Sequence, residues 1–155
     1  MGRENIDAVL QDLGERLGMP GLRLDEAGAC QLLFDQRWLV TLVHVPPLAS
    51  LGLHCPVTGA GEADRLPAAS LLAMLKASFQ GQGAGGATLC IGPGQRAYLQ
   101  RVMQLPEPGA ARVQQALEQL LNFAETWAER LSRPESATRP VAAPPGPGEW
   151  AMQRV

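Results

Sequence analysis

Apolar residues recur every three or four positions in three stretches of the chain, a spacing that predicts amphipathic helices. The first predicted helix is capped by Asn5 and ends before Pro20. Its apolar stripe comprises Ile6, Val9, Leu10, Leu13 and Leu17. We expect this stripe to pack on a core while the acidic residues between its members face solvent.

The second predicted helix begins near Asp64, has Pro67 in its first turn and ends at Gly81. Its apolar stripe comprises Ala68, Leu71, Leu72, Leu75 and Phe79. The third predicted helix is the clearest element. Its apolar face comprises Val113, Leu117, Leu120, Leu121, Ala124, Trp127, Ala128 and Leu131.

Between the helices the pattern changes to short apolar runs that predict strands. Ala29–Phe34 and Trp38–Val45 are two such runs, and residues 51–57 form a third that Pro56 weakens or places at an edge. Residues 88–91 and 97–103 form a hairpin across a Gly-Pro-Gly-Gln turn. Because Trp38–Val45 is nearly continuous apolar sequence, we expect both its faces to be covered, by the chain's own helices or by a partner. The order of elements predicts an α+β fold, an antiparallel sheet meander with three helices.

The composition divides the chain at residue 131. Residues 1–131 carry all the periodic segments and are predicted to form one domain. Residues 132–155 contain five prolines and no apolar periodicity, which predicts a disordered tail. Trp150 and Met152 are unusual in a linker, and through them the tail could instead dock on a surface.

Charge and cysteine content narrow the classes of function. The formal net charge is −2 and no run of Lys or Arg is present, which disfavours a nucleic-acid binder. The three cysteines, Cys30, Cys55 and Cys90, are widely spaced and include no C-x-x-C pair. We therefore expect neither a disulfide framework nor a zinc site, and a reduced, cytoplasmic protein. No apolar stretch is long enough to cross a membrane.

None of the motifs indicates catalysis. The glycine-rich run GQGAGG at residues 81–86 follows a helix and precedes a strand, the reverse of a dinucleotide-binding loop, and lacks the Lys-Ser/Thr of a P-loop. His44, His54 and Cys55 match no compact ligand spacing, so a metal site is disfavoured. Cys55 and His54, as neighbours on a strand, point to opposite faces and cannot act as a nucleophile and its base. We therefore expect a binding protein without cofactor, in which excess apolar sequence becomes an interface.

Four segments in order resemble the type III secretion chaperones of the Tir-chaperone (CesT-like) family. They are LGMPGLRLDEAGACQLLFD (17–35), WLVTLVH (38–44), LLAMLKASFQGQGAGGATLCIGPGQRAYLQRVMQLP (71–106) and LLNFAETWAERL (120–131). The resemblance implies a type III secretion chaperone-like sandwich, a homodimer and no ATPase activity. Such a bacterial cytoplasmic protein binds the N-terminal chaperone-binding segment of a secreted effector in extended form and keeps it soluble and competent for secretion.

The resemblance also implies which residues would do this. The implied effector-binding residues are Leu10, Leu13, Leu17, Leu22, Leu24, Leu33 and Phe34. The implied dimer-interface residues are Leu71, Leu72, Leu75, Leu89 and Leu99. Any of these side chains could instead be ordinary core.

Two alternatives stay open. Some members of this class bind an anti-activator or another secretion-control protein and couple secretion to transcription. An enzyme of another kind would require a reactive group that the sequence does not show. Binding of a nucleotide or a metal by the purified chain would favour the enzyme, and its absence would leave both chaperone roles standing.

Overall fold

The computed structural model describes residues 2–46, 50–105, 109–133 and 152–154. The chain forms two compact units. The first comprises Met1–His54, Val102–Glu118 and Glu149–Val155, and the second comprises Cys55–Arg101 and Gln119–Gly148. The elements are α1 (Gly2–Arg16), β1 (Ala29–Phe34), β2 (Trp38–Val45), β3 (Ser50–Pro56), α2 (Ala68–Ser78), β4 (Thr88–Gly92), β5 (Arg96–Gln104), α3 (Ala110–Ser132) and β6 (Met152–Arg154). Helices combined with antiparallel strands confirm the predicted α+β class.

An antiparallel meander forms the first unit, with strand order β3-β2-β1-β6. β1 pairs with β2 over its whole length, from Ala29 opposite Val43 to Phe34 opposite Trp38. Alternate residues of these strands point to one face and are buried. The buried apolar residues of this unit include Ile6, Val9, Leu10, Leu13, Leu22, Leu24, Cys30, Leu32, Phe34, Trp38, Val40, Leu42, Leu51 and Leu53.

The segment after α1 is held against that helix by backbone contacts. The backbone N–H of Leu24 donates a hydrogen bond of 3.1 Å to Oδ1 of Asp7. Gly14 permits a close approach, because a Cβ at this position would collide with the carbonyl oxygen of Met19 and press on the side chain of Leu22. The sequence of α1 therefore fixes where Leu22 and Leu24 enter the core.

In the second unit, β4 and β5 form the predicted hairpin, with Leu89 opposite Leu99. The Oγ of Ser78 at the end of α2 accepts a hydrogen bond of 2.8 Å from the backbone N–H of Leu89. This bond ties the C-terminal end of α2 to the start of the hairpin. The buried apolar residues of this unit include Cys55, Val57, Ala63, Met74, Ala77, Leu89, Ala97, Leu99, Leu120, Leu121, Ala124, Trp127 and Leu131.

Two predicted helix starts are wrong. α1 begins at Gly2, not at Asn5, because Glu4 is well suited to a first helical turn. The second helix does not run from Asp64, because the ring of Pro67 disfavours a helical conformation at the preceding Leu66, whose ψ is 134°. A separate 3-10 turn covers Ala63–Arg65, and α2 follows after Pro67.

The predicted tail lies mostly outside the described residues. Within it, Met152–Arg154 form β6, an element that the sequence pattern did not predict. None of the helices in the described parts of the chain is long and apolar enough to cross a lipid bilayer.

Candidate functional site

The outward side of the first unit's meander is incompletely covered, and it carries two apolar pairs with the polar pair Gln31 and Thr41 between them. Leu33 on β1 lies opposite Leu39 on β2, and Ala29 lies opposite Val43, so these four residues share one face. All four are half-buried, whereas the residues that alternate with them are buried. We call Ala29, Leu33, Leu39 and Val43 the meander face. We expected both faces of β2 to be covered, by the chain's own helices or by a partner, and the described residues cover this face only partly.

The edge of β1 accepts an extended segment. β6 pairs antiparallel with β1 on the side away from β2, with Leu32 opposite Arg154, Leu33 opposite Gln153 and Phe34 opposite Met152. Backbone pairing along a sheet edge requires no particular side chains in the added strand. The meander face and this edge lie in the same unit and share Leu33, so one bound segment can contact both.

All seven predicted effector-binding residues fall in the first unit. Leu10, Leu13, Leu22, Leu24 and Phe34 are buried in its core, while Leu17 and Leu33 are half-buried. The assignment of these residues to an effector stays a prediction. Of the seven, Leu17 and Leu33 have the exposed area that contact with another chain requires. Leu39 and Val43 were not among the predicted effector-binding residues, although their position in a two-sided apolar strand was the available signal.

A second apolar surface lies on α2. The helix buries Ser70, Met74 and Ala77, so its larger apolar residues point outward. Leu72 is 51% exposed, Leu75 is 69% exposed and Phe79, directly after the helix, is 66% exposed. We call Leu72, Leu75 and Phe79 the α2 surface. Leucines and a phenylalanine clustered at helical spacing and exposed to this degree are typical of a protein-binding surface.

The predicted dimer-interface residues divide between this surface and the core beneath it. Leu72 and Leu75 belong to the α2 surface, and Leu71 is half-buried. Leu89 and Leu99 face each other in the hairpin and are buried within the second unit. Phe79 was predicted to belong to the stripe of the second helix and was not among the predicted interface residues.

The cysteines and histidines do not form a reactive centre. Burial raises the pKa of the Cys55 thiol to about 12, so the thiolate that a nucleophile requires is scarce near neutral pH. His54 pairs with Thr41 on the outward side of β3, while Cys55 points inward, and burial lowers the pKa of His54. Cys90 is half-buried, and burial raises the pKa of its thiol. Among the described residues, no three His, Cys, Asp or Glu side chains are grouped to hold a metal ion.

The glycine-rich run at residues 81–86 serves packing. Gly81, Gly85 and Gly86 have positive φ, which glycine adopts without strain. The indole of Trp127 on α3 bonds to the backbone of this run at Gly83. The run follows α2 and leads into β4, as the sequence predicted, and its backbone is engaged by the chain itself.

Comparisons with known proteins agree with this architecture. The model of the Tir chaperone protein (CesT) family matches residues 8–128. No curated protein matches the sequence. The chain is similar to a chain in the crystal structure of the ExsC-ExsE complex, with 24% identity and a TM-score of 0.69, over 83% of this chain and 95% of that one.

Two further solved structures show the same fold. In the HopA1-SchA chaperone-effector complex the matching chain is 18% identical, with a TM-score of 0.69 over 82% of this chain and 95% of that one. The third is the crystal structure of the Yersinia pestis type III secretion chaperone SycH in complex with a stable fragment of YscM2. The matching chain is 16% identical, with a TM-score of 0.61 over 78% of this chain and 98% of that one.

Proposed function

We propose the function of this chain from its family. The chain belongs to the Tir chaperone protein (CesT) family, whose model matches most of the chain's length. The protein binds the N-terminal chaperone-binding segment of a secreted effector in extended form, in the bacterial cytoplasm, as a homodimer. It acts by binding and catalyses no reaction. The bound segment stays soluble and competent for type III secretion.

The observation that carries this proposal is the meander face together with the β1 edge. Leu33, Leu39 and Val43 offer apolar area that the first unit leaves partly open. The adjacent edge of β1 can pair with extended backbone, as its pairing with β6 demonstrates. An extended client segment would place alternate apolar side chains on the face and its backbone along the edge.

This mode of binding suits a client that must remain unfolded. A segment held as a strand buries its apolar residues against the chaperone, so it neither folds nor aggregates. Backbone pairing contributes affinity for many sequences, while the shape of the apolar face limits which side chains fit. Affinity is therefore obtained without a rigid pocket.

The α2 surface supports the homodimer. A second copy of the chain would cover Leu72, Leu75 and Phe79, whose exposure is costly in water. Leu71 would lie at the margin of this contact, and the buried Leu89 and Leu99 would support it from within the second unit. A dimer presents two meander faces to one client and so strengthens binding of a long segment.

Affinity capture tests the proposal. The full-length chain is captured from its own cells under conditions that induce secretion, and bound proteins are identified and crosslinked. We expect an exported protein, crosslinked through its N-terminal region. Capture of a soluble transcriptional regulator or of its antagonist instead would replace effector binding with the regulatory role, and capture of neither would refute both.

A matched pair of variants makes the capture specific. Leu33→Glu places a charge on the meander face and should reduce recovery of the exported protein strongly. Gln11→Glu adds the same charge to the first unit at an exposed polar position on α1, away from β1, and should leave recovery unchanged. Equal loss from both variants would indicate a general effect of charge and would argue against the meander face.

A further inference from the structure

The C-terminal residues of the chain occupy the sheet edge that a client strand would use. β6 forms a three-residue ladder with Leu32, Leu33 and Phe34, whereas β1 and β2 pair over six residues. Eighteen residues, 134–151, separate the end of the described part of α3 at Arg133 from Met152. The chain therefore supplies its own strand to β1 through a long connection.

We propose that β6 is an autoinhibitory strand: it covers the β1 edge in the free protein and is displaced when a client strand pairs with β1. The inference rests on the proposed function for the identity of the displacing strand. The occupied edge itself is a property of this chain alone.

Two physical arguments favour a displaceable strand. A strand tethered within the same chain meets its partner edge at an effective concentration of about a millimolar, so a ladder with an intrinsic dissociation constant below that value is closed most of the time. A ladder of three residues has few hydrogen bonds, so a client strand that pairs along more of β1 outcompetes it. The pairing of β6 is then stable enough to cover the β1 edge in the free protein, and a longer client strand can still displace it.

Covering the edge has a purpose in the free protein. An exposed strand edge beside an apolar face is a template for edge-to-edge association. Leu33 contributes to both the paired edge and the meander face, so an uncovered β1 would present both to another copy of the chain. β6 limits this association until a client arrives.

A backbone substitution in the full-length chain tests the strand directly. Gln153→Pro removes the backbone N–H at the centre of β6, and proline is poorly tolerated in a paired strand. Ala142→Pro, in the connection and outside the paired residues, is the control. We expect Gln153→Pro to accelerate amide hydrogen exchange within Leu32–Phe34 at least about tenfold, with Ala142→Pro like the parent. Equal exchange in all three proteins would overturn the proposal.

A synthetic peptide of residues 148–155 then tests competition without any client. Because the tethered tail closes most of the time at an effective concentration of about a millimolar, the free peptide should bind the vacated edge with a dissociation constant below about 1 mM. It is titrated to less than about 1 mM, so that it does not displace the tail of the parent. We expect shifts of β1 amide resonances with Gln153→Pro and much smaller ones with the parent and Ala142→Pro. Binding to none of the three, or equally to all, would contradict a strand site blocked by the tail.

The exported fragment identified by capture completes the test. We expect Gln153→Pro to bind it several-fold more tightly than the parent, because no tail has to be displaced. Equal affinity would refute autoinhibition and leave the proposed function intact. If no client is captured, the proposed function fails, while the exchange and peptide measurements still decide whether the tail blocks a strand site.

Discussion

The indole Nε1–H of Trp127 donates a hydrogen bond of 3.0 Å to the carbonyl oxygen of Gly83. Trp127 is fully buried on α3, and Gly83 lies in the glycine-rich run between α2 and β4. This one bond fixes the run against the last helix and satisfies a polar group on each side. It explains why a glycine-rich segment without phosphate-binding residues is a structural element of this fold.

Replacing Trp127 should therefore lower the free energy of unfolding by more than the loss of side-chain volume alone would. Trp127→Phe removes the donor and leaves the Gly83 carbonyl unsatisfied, which together with the cavity should lower the free energy of unfolding by about 2–4 kcal/mol. Trp38→Phe, also at a buried site, removes the same volume, and the structure gives its indole nitrogen no hydrogen bond within the described residues. Urea denaturation should show a smaller loss of unfolding free energy for Trp38→Phe than for Trp127→Phe. Equal losses would mean that the bond to Gly83 contributes nothing.

A methyl group at Gly85 should destabilise the same run. Gly85 has a φ of +61°, and a Cβ there would lie 2.5 Å from Cδ2 of Phe123. Gly94→Ala is the control, because Gly94 has a similar φ of +69° but its nearest neighbour would be 3.9 Å away. Left-handed strain costs about 1–2 kcal/mol at both sites, and the clash should add about 1–3 kcal/mol at Gly85 only. Thermal unfolding that shows equal losses would contradict the contact with Phe123.

Charging the α2 surface should produce a monomer. Leu75 is the most exposed member of this surface, so Leu75→Glu should leave the fold intact and prevent a second copy from covering it. Gln82→Glu adds the same charge at an exposed position outside the surface and should remain dimeric. Light scattering after size-exclusion chromatography gives both masses. If the Leu75→Glu protein is dimeric and has a native circular dichroism spectrum, the interface does not include the α2 surface.

Thiol reactivity should follow burial. With a pKa of about 12, the Cys55 thiol has roughly one thiolate in ten thousand molecules at pH 8, so it should resist alkylation in the folded protein. Cys90, which is half-buried, should react first, and all three cysteines should react in denaturant. Mass spectrometry of the labelled peptides measures the rate at each cysteine. Labelling of Cys55 as fast as that of Cys90 would contradict this prediction.

Much of the fold could be predicted from local patterns. The bounds of β1 and β2 agree with the prediction, because short apolar runs between turn residues leave few alternatives. The hairpin of β4 and β5 and the extent of α3 also follow from turn chemistry and periodicity. The start of α1 was displaced because several residues at a helix end satisfy the same capping rules. The start of α2 was displaced because Pro67 disfavours a helical conformation at Leu66.

The orientation of α2 could not be predicted, and neither could β6. α2 is apolar on most sides, so its sequence does not reveal that Ser70 and Met74 point inward while Leu72 and Leu75 point outward. β6 has only three residues and depends on pairing with β1, a contact between distant parts of the chain. Such non-local pairing leaves no periodic signal in the sequence. The predicted effector-binding leucines were chosen by resemblance, which cannot distinguish a buried side chain from an exposed one.

Site-specific crosslinking tests the central claim most directly. A photoreactive amino acid replaces Leu33, where the meander face meets the β1 edge. In a control protein the same amino acid replaces Gln11, which is exposed on α1. After irradiation of cells under secretion-inducing conditions, we expect position 33 to crosslink to the N-terminal region of an exported protein and position 11 to give no such product. Crosslinks to that protein from position 11 and none from position 33 would contradict binding of an extended client along β1.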